Sequence, residues 1–335
     1  MQTRVYFPTP LNLRRLAAAL RRGELVALPT ETVYGLAAHA LDARACRRIF
    51  SAKRRPADDP LIVHVLGLRA AEALAEFNAA ARVLARRFWP GPLTLVLPRH
   101  AIVPDIVTSG QDTVALRAPA HPLARRLLRL AGIPLAAPSA NPFGYVSPTT
   151  AGHVLDGLRG RIPHVLDGGP CPVGVESTIV DLSDPRHPCV LRPGAISAQE
   201  LENALQAAGH KVRIAVQQRP DRDILAPGLQ AQHYSPHTPL QVCRRIGSIA
   251  GVVPPDATTA RIYWQRPVRG AGPNVFWLTE QGRTGEAAQN LYAVLRRADA
   301  GGFKRLLVEL APRRADALAV ALTDRLARAA GRRAR

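Results

Sequence analysis

The chain has 335 residues, of which 47% are hydrophobic and 21% charged; this is the composition of a folded protein and excludes an intrinsically disordered one. Basic residues outnumber acidic ones 45 to 25, a formal net charge of +20, and all but three of the basic residues are arginine. No apolar run reaches the roughly 18 residues that a membrane-spanning helix needs, and the segment from Met1 to Pro8 lacks the apolar core of a signal peptide, so a cytoplasmic location is expected.

In chain order, 25–28 reads as a short apolar strand. Asp42 caps a helix that carries Ala45, Ile49 and Phe50 on one face and runs into Lys53-Arg54-Arg55-Pro56. The run 61–66 is a strand. A helical pattern covers 69–88, with Asn78 as a break. Strands follow at 93–97 and 113–117. Pro122 opens a helix that Gly132 closes. The segment 133–137 is a strand whose early proline predicts an edge or the end of a ladder. More strands are predicted near Val165, at 178–182 and at 189–191. Ser197 and Glu200 form a capping box for a helix through Ala208.

This mixture predicts one α/β domain over residues 1–208. Residues 209–238 hold three prolines and little periodicity, and read as a linker. In 239–335, strands at 240–243, 261–264, 275–278 and 305–310, with helices at 285–299 and 314–330, predict a second, smaller α/β domain.

The arginine surplus has two readings: a coding bias, or a polyanionic partner such as nucleotide or RNA. Between 325 and 335 lie five arginines and no acid, and that tail reads as a frayed, solvated helix end. The cysteines at 46, 171, 189 and 243 form no CxxC pair, which excludes zinc-knuckle and thioredoxin chemistry and predicts reduced, mostly buried thiols.

No lysine follows a glycine, so a Walker A loop is absent, and no GxGxxG, GxSxG or HExxH occurs in the required setting. Phosphate binding would therefore fall to side-chain cations and hydroxyls. Lys53 and Arg55 offer a point charge and a fork at a helix end, although cations there also offset the helix dipole. Pro138-Ser-Ala-Asn-Pro142 follows a strand, where ligands sit in open α/β sheets, but its residues are also ordinary turn formers. Pro29-Thr-Glu-Thr-Val-Tyr-Gly35, Gly174-Val-Glu-Ser-Thr178 and Leu191-Arg-Pro-Gly194 are weaker signals. Arg117 ends an apolar strand, a costly place for a cation unless it is paired or binds an anion. His64, inside another apolar strand, reads on its own as a core histidine. Trp89, Pro90 and Pro92 read as a rigid corner.

Taken in order, PTETVYGL, Lys53-Arg54-Arg55-Pro56, Asp58-Asp59-Pro60 with LIVHV, WPGPLTLVL, DTVALRAPAHP, APSAN, GVESTIVD and LRPG resemble the YrdC-like family, the threonylcarbamoyl-AMP synthases, over about residues 10–205. The run from Ala226 to Pro236 resembles the linker of the family's long form, which carries an additional C-terminal domain. The resemblance implies a twisted mixed sheet with flanking helices around a concave basic cavity, and a smaller Rossmann-like α/β C-terminal domain.

The implied activity joins L-threonine, bicarbonate and ATP into L-threonylcarbamoyl-AMP with release of pyrophosphate. ATP is a substrate, and Mg2+ is held mainly by its phosphates, with no protein metal site. A downstream transferase system then places the threonylcarbamoyl group on adenosine 37 of tRNAs reading ANN codons. By position, the resemblance assigns threonine binding to Thr32, His64, Arg117, Ala137 and Ser177. It assigns the phosphate grip to Lys53 and Arg55, and other nucleotide contacts to Asp59, Thr113, Ser139, Ser147, Arg192 and Tyr234, with Asn141 completing the SxN motif. Lys53, Arg55 and Arg192 are the expected catalytic cations.

Two positions depart from the usual pattern: Arg54 stands where Gly or Asn is frequent, adding charge beside the phosphates, and Asp59 stands where Asn is common. The linker with Tyr234 is the expected lid. A tRNA or RNA contact through the arginine surplus is a further expectation, with no membrane partner. Two other readings are an RNA-binding protein without catalysis and a hydrogenase-maturation carbamoyltransferase, whose acylphosphatase module and CxxC motifs are missing from the chain.

Overall fold

The computed structural model describes residues 1–210, 212–216, 234–246, 257–268, 272–312 and 316–331. The chain runs through β1 (Arg4–Tyr6), α1 (Pro10–Arg21), β2 (Val26–Leu28), β3 (Gly35–His39), α2 (Ala43–Lys53), β4 (Ile62–His64), α3 (Leu68–Glu72), α4 (Ala79–Phe88), β5 (Leu93–Pro98), α5 (Asp105–Thr108) and β6 (Thr113–Arg117). It continues with α6 (Pro122–Ala131), β7 (Leu135–Ala136), α7 (Ala151–Leu158), β8 (His164–Leu166), β9 (Thr178–Asp181), β10 (Cys189–Arg192), α8 (Ala198–Ala207) and β11 (Ala215–Val216). These strands form one mixed sheet in the order β1-β8-β2-β3-β7-β4-β6-β5-β9-β10-β11. Then come β12 (Leu240–Cys243), β13 (Thr259–Gln265), β14 (Val275–Thr279), α9 (Thr284–Asp299), β15 (Arg305–Glu309) and α10 (Ala317–Ala329). The second sheet is all parallel, in the order β12-β15-β13-β14. The fold class is the mixed α/β arrangement expected.

Local chemistry sets many boundaries. The Asp42 carboxylate accepts from the backbone N–H of Arg44 and Ala45 and starts α2. Asn78 caps α4, so the long helical pattern divides there. Ser197 and Glu200 form the reciprocal capping box of α8. Helix α1 has a Thr9 cap and Pro10 at its start, and it buries Leu13, Leu16 and Leu20 in a cluster with Leu127 and Leu128 of α6.

Two expectations need correction. Strand β7 is not an edge, since it lies between β3 and β4, but Pro134 does stand at the end of its ladder. Only Leu135 and Ala136 pair, so Pro134 donates nothing, while its carbonyl accepts from the Ala40 N–H at 2.9 Å. The arginine tail is not a frayed helix end as far as it is described. Helix α10 reaches Ala329, and Arg325 within it is 1% exposed. A carboxylate from the first sheet, described below, makes that burial tolerable. Residues 332–335 lie outside the described residues, as do Lys211 and residues 217–233 of the expected linker.

The two sheets share packing. Val33, Val146 and Val175 belong to the same buried cluster as Leu291, Tyr292, Leu322 and Leu326. Burying an aliphatic side chain contributes about 1.5–3 kcal/mol, so these three valines supply a sum comparable to a typical domain's net stability. Gly174 adopts φ +83°, and a Cβ there would lie 2.2 Å from the Ala288 carbonyl oxygen of α9. Only glycine lets the loop before β9 approach α9 this closely.

Candidate active site

The strand ends of the first sheet and the returning chain at Tyr234 enclose a cavity of about 490 Å³, mouth included. Its walls come from Thr30, Thr32, Val33 and Gly35 after β2, Arg55 after α2, and Ile62 and His64 of β4. Arg117 at the end of β6, Ala137, Pro138 and Ser139 after β7, Glu176, Arg192 and Tyr234 complete it. Three arginines and two nitrogen- or oxygen-rich turns thus converge on one small space, a composition suited to an anionic, hydroxyl-bearing ligand.

One corner is built on the turn after β2. The Thr30 hydroxyl donates to the Val33 carbonyl at 2.6 Å and accepts from the Val33 N–H, locking the turn. That turn presents Glu31 and Thr32 to Arg117. The guanidinium donates to Glu31 Oε1 at 2.6 Å and to the Thr32 hydroxyl at 2.9 Å, and its Nε has no hydrogen-bond partner among the described residues. Burial works to raise the Glu31 carboxyl, but the Arg117 charge and hydrogen bond outweigh it and hold its pKa below the usual value. His64 pairs in register with Arg117, and its Nδ1 has no hydrogen-bond partner among the described residues. Burial first, then the Arg117 charge, depresses its pKa to about 3, so the ring is neutral at physiological pH.

The opposite departure concerns the cationic helix end. Arg55 lines the cavity, is 7% exposed, and pairs with buried Asp59 at 2.8 Å. It also donates to the backbone carbonyls of Asp59 and Pro60. Burial raises the Asp59 carboxyl against the opposing charges of Arg55 and Lys53. The unusual Asp59 is therefore answered by a cation of the chain itself. Lys53 is not part of the cavity wall. Its ammonium donates to the backbone carbonyls of Ser139 and Asn141, tying α2 to the turn after β7. Arg54 corrects an expectation: it is exposed, takes a left-handed C-cap at φ 54°, and lines a separate groove with Arg48 and Arg161, away from the cavity.

Ser139 and Ala137 are in the wall. Asn141 sits behind it, donating to the carbonyls of Pro142 and Tyr145 at 2.8 Å. Ser177 also lies behind, bonded to Thr94 at 2.7 Å and to Arg192 at 3.1 Å. Gly194 allows this arrangement, since a Cβ there would stand 2.3 Å from the Thr178 nitrogen. Ser147 donates to Glu176 Oε1 at 2.6 Å. Thr113 is at the far end of β6 from Arg117, roughly 13 Å along the strand at 3.3 Å per residue, and outside the wall. Tyr234 is 1% exposed, at φ 63°, and stacks on Tyr292 with centroids 5.8 Å apart.

Sequence reasoning missed Glu31, Glu176, Tyr292 and Arg325. Glu176 accepts from Tyr292 at 2.8 Å and from Arg325 at 2.9 Å. Burial works to raise its carboxyl, but the charges of Arg325 and Arg192 and the hydrogen bonds pull it down to about 2. Each cavity carboxylate is thus matched to an arginine. Among the described residues no group of three His, Cys, Asp or Glu is arranged to hold a metal ion.

The His64 setting predicts a pH effect. Unfolded chain takes up a proton below about pH 6.5, while buried His64 stays neutral down to about 3. Its stabilising contribution is full above 6.5 and declines as pH falls, by up to about 1.4 kcal/mol per unit. In thermal melts from pH 7.5 to 5, His64→Gln should lose less stability than the parent. Parallel curves would contradict this assignment.

Fold and site together define an α/β protein with an enclosed cavity that pairs a carboxylate-anchoring corner with two further arginines. Residues 18–194 match the family described as "Telomere recombination", and residues 196–331 match "Threonylcarbamoyl-AMP synthase, C-terminal domain". The chain is 40% identical over 335 residues to a threonylcarbamoyl-AMP synthase of Pyrococcus abyssi, covering 96% of this chain and 95% of that protein. It is 44% identical over 235 residues to one of Bacillus subtilis, covering 69% and 66%. A crystal structure of P. abyssi Sua5 complexed with L-threonine superposes with a TM-score of 0.85 at 37% identity, over 98% of both chains. The chain belongs to the threonylcarbamoyl-AMP synthase family.

Proposed function

We infer that the protein is a threonylcarbamoyl-AMP synthase, a nucleotidyltransferase that converts L-threonine, bicarbonate and ATP into L-threonylcarbamoyl-AMP, pyrophosphate and water. The observation that carries this reading is one cavity holding both the Arg117–Glu31–Thr32 corner and the arginines Arg55 and Arg192. The first suits a small amino acid; the second suits a polyphosphate.

In this reading Arg117 binds the threonine carboxylate through its fork. Thr32 and neutral His64 meet the hydroxyl and amine, since a neutral imidazole keeps one acceptor nitrogen. Ala137 leaves room for the side chain, and Ser177 supports the pocket through its bond to Thr94. A pocket whose polar atoms need the substrate hydroxyl rejects analogues that lack it. The threonine amine and bicarbonate condense to a carbamate, releasing water. A carbamate oxygen then attacks the α-phosphorus of ATP, and the bond to pyrophosphate breaks. Such transfer needs positioning and cations more than a protein nucleophile. Arg55 and Arg192 balance the charge on the phosphates, Ser139 and Tyr234 contact the nucleotide, and Lys53 and Asn141 act from behind by fixing the 138–142 turn.

Asp59, Ser147 and Thr113 contribute indirectly, Asp59 by orienting Arg55. The carboxylates of the cavity are engaged by arginines, and Mg2+ comes with ATP, held on its phosphate oxygens. We assign catalysis to residues 1–208, a covering role to 209–238, and a supporting α/β domain to 239–335, in a cytoplasmic enzyme. The product serves a downstream tRNA threonylcarbamoyltransferase system that modifies adenosine 37.

Threonine binding is the direct test of the cavity assignment. L-Threonine at 100 times its Kd should stabilise the fold by about 2.7 kcal/mol, read as a rise in melting temperature. 2-Aminobutyrate, which lacks the hydroxyl, should give a much smaller shift. No response to threonine from folded protein that binds RNA would favour a nucleic-acid-binding role instead.

A further inference from the structure

We propose that Arg325, on the last helix of the second sheet's layer, is a positioning residue for ATP: it engages Glu176 so that the charge of Arg192 is directed at the nucleotide phosphates. This rests on the assignment of Arg192 to ATP.

The geometry is specific. Glu176 is 6% exposed and stands in the cavity wall with Arg192. Its Oε2 accepts from Arg325 Nε at 2.9 Å and from the Tyr292 hydroxyl at 2.8 Å, and its Oε1 accepts from Ser147 at 2.6 Å. Three of the contacts around this carboxylate thus come from outside the loop that carries it, and two of these come from α9 and α10. Arg325 is held in turn by Asp324 at 2.6 Å and lies 5.2 Å from the centre of the Tyr234 ring. A fully buried guanidinium is costly unless it is paired, and this one spans 149 residues of sequence to reach its partner.

Electrostatics supplies the reason. Glu176 feels two guanidinium groups, Arg325 and Arg192, and both help to keep it ionised. Arg192 is positioned by the Ser177 carbonyl and hydroxyl, each at 3.1 Å. With Arg325 in place, the Glu176 charge is matched from the side away from the first sheet. Without it, Arg192 is, among the described residues, the other wall cation that acts on Glu176, and a buried carboxylate draws such a cation to itself. The triphosphate would then meet a neutralised arginine. The threonine corner is held by its own Arg117–Glu31 pair and should not change.

The experiment compares the full-length parent, Arg325→Met and the double variant Glu176→Gln with Arg325→Met. ATP affinity is measured in the presence of Mg2+ by equilibrium dialysis, and threonine affinity by calorimetry. Arg325→Met should weaken ATP at least tenfold and leave threonine within twofold. The double variant, which has no unmatched buried charge, should return ATP affinity to within threefold of the parent. If Arg325→Met does not fold, the folded double variant alone decides: near-parental ATP affinity supports the inference, and a tenfold loss overturns it. Equal losses for ATP and threonine in Arg325→Met, or a lowered melting temperature with unchanged ATP affinity, also overturn it. A parent that binds no ATP would instead remove the nucleotide assignment on which the inference stands.

Discussion

Arg117→Ala should lower kcat/KM for threonine by at least about 100-fold, with most of the change in KM and little change in KM for ATP. The guanidinium is 4% exposed and is the cation of the corner formed by Glu31 and Thr32. Removing one partner of a buried charge pair costs about 2–5 kcal/mol, and each 1.4 kcal/mol is about tenfold. Two effects add: the threonine carboxylate loses its fork, and Glu31 is left as a buried negative charge that repels it. Arg117→Lys should recover part of the loss, because a point charge cannot hold both Glu31 and an incoming carboxylate in a planar fork. Initial rates of pyrophosphate release over a threonine series check this. An unchanged threonine KM with a raised ATP KM would place the amino acid elsewhere in the cavity.

Arg55→Ala should destabilise the fold and abolish turnover for two separable reasons. The Arg55–Asp59 pair is buried, and breaking such a pair leaves an uncompensated charge at a cost of about 3–5 kcal/mol. Adding Asp59→Asn removes that charge, so the double variant should recover most of the melting temperature. It should not recover turnover, because the cation in the cavity wall is still missing. Thermal melts and pyrophosphate release on the same preparations separate the two effects. Recovery of turnover along with stability would show that Arg55 serves only to neutralise Asp59.

Where the information was local, the sequence was legible. Asp42, Asn78, Gly132 and the Ser197–Glu200 box mark helix ends through contacts within a few residues, and each stands at the boundary it marks. Helix α1 is equally legible, through Thr9, Pro10 and the stripe of Leu13, Leu16, Ala17 and Leu20, although the expected elements begin only at residue 25. Strand β3 was missed for a physical reason. Gly-Leu-Ala-Ala-His has weak strand preference, and it is extended because β2 and β7 pair with it on both sides.

The candidate site divides in the same way. Motif order identified the segments that carry Thr32, Ser139 and Arg192, all of which line the cavity. It did not reveal that Lys53 points its ammonium at the Ser139 and Asn141 carbonyls, 86 and 88 residues away. Nor did it distinguish Arg325 from the other arginines of a basic tail. That side chain is buried because Glu176, on the other sheet's loop, receives it. A charge whose partner lies 149 residues away leaves no trace in composition or periodicity.

The most direct test of the central claim is pyrophosphate release by the full-length protein from ATP and Mg2+, with threonine and bicarbonate each supplied or withheld. If one cavity joins a carbamate of threonine to the α-phosphate, release requires both, and L-threonylcarbamoyl-AMP accumulates with it. Release that proceeds equally without threonine, or no release from folded protein that binds both ATP and threonine, would contradict the account.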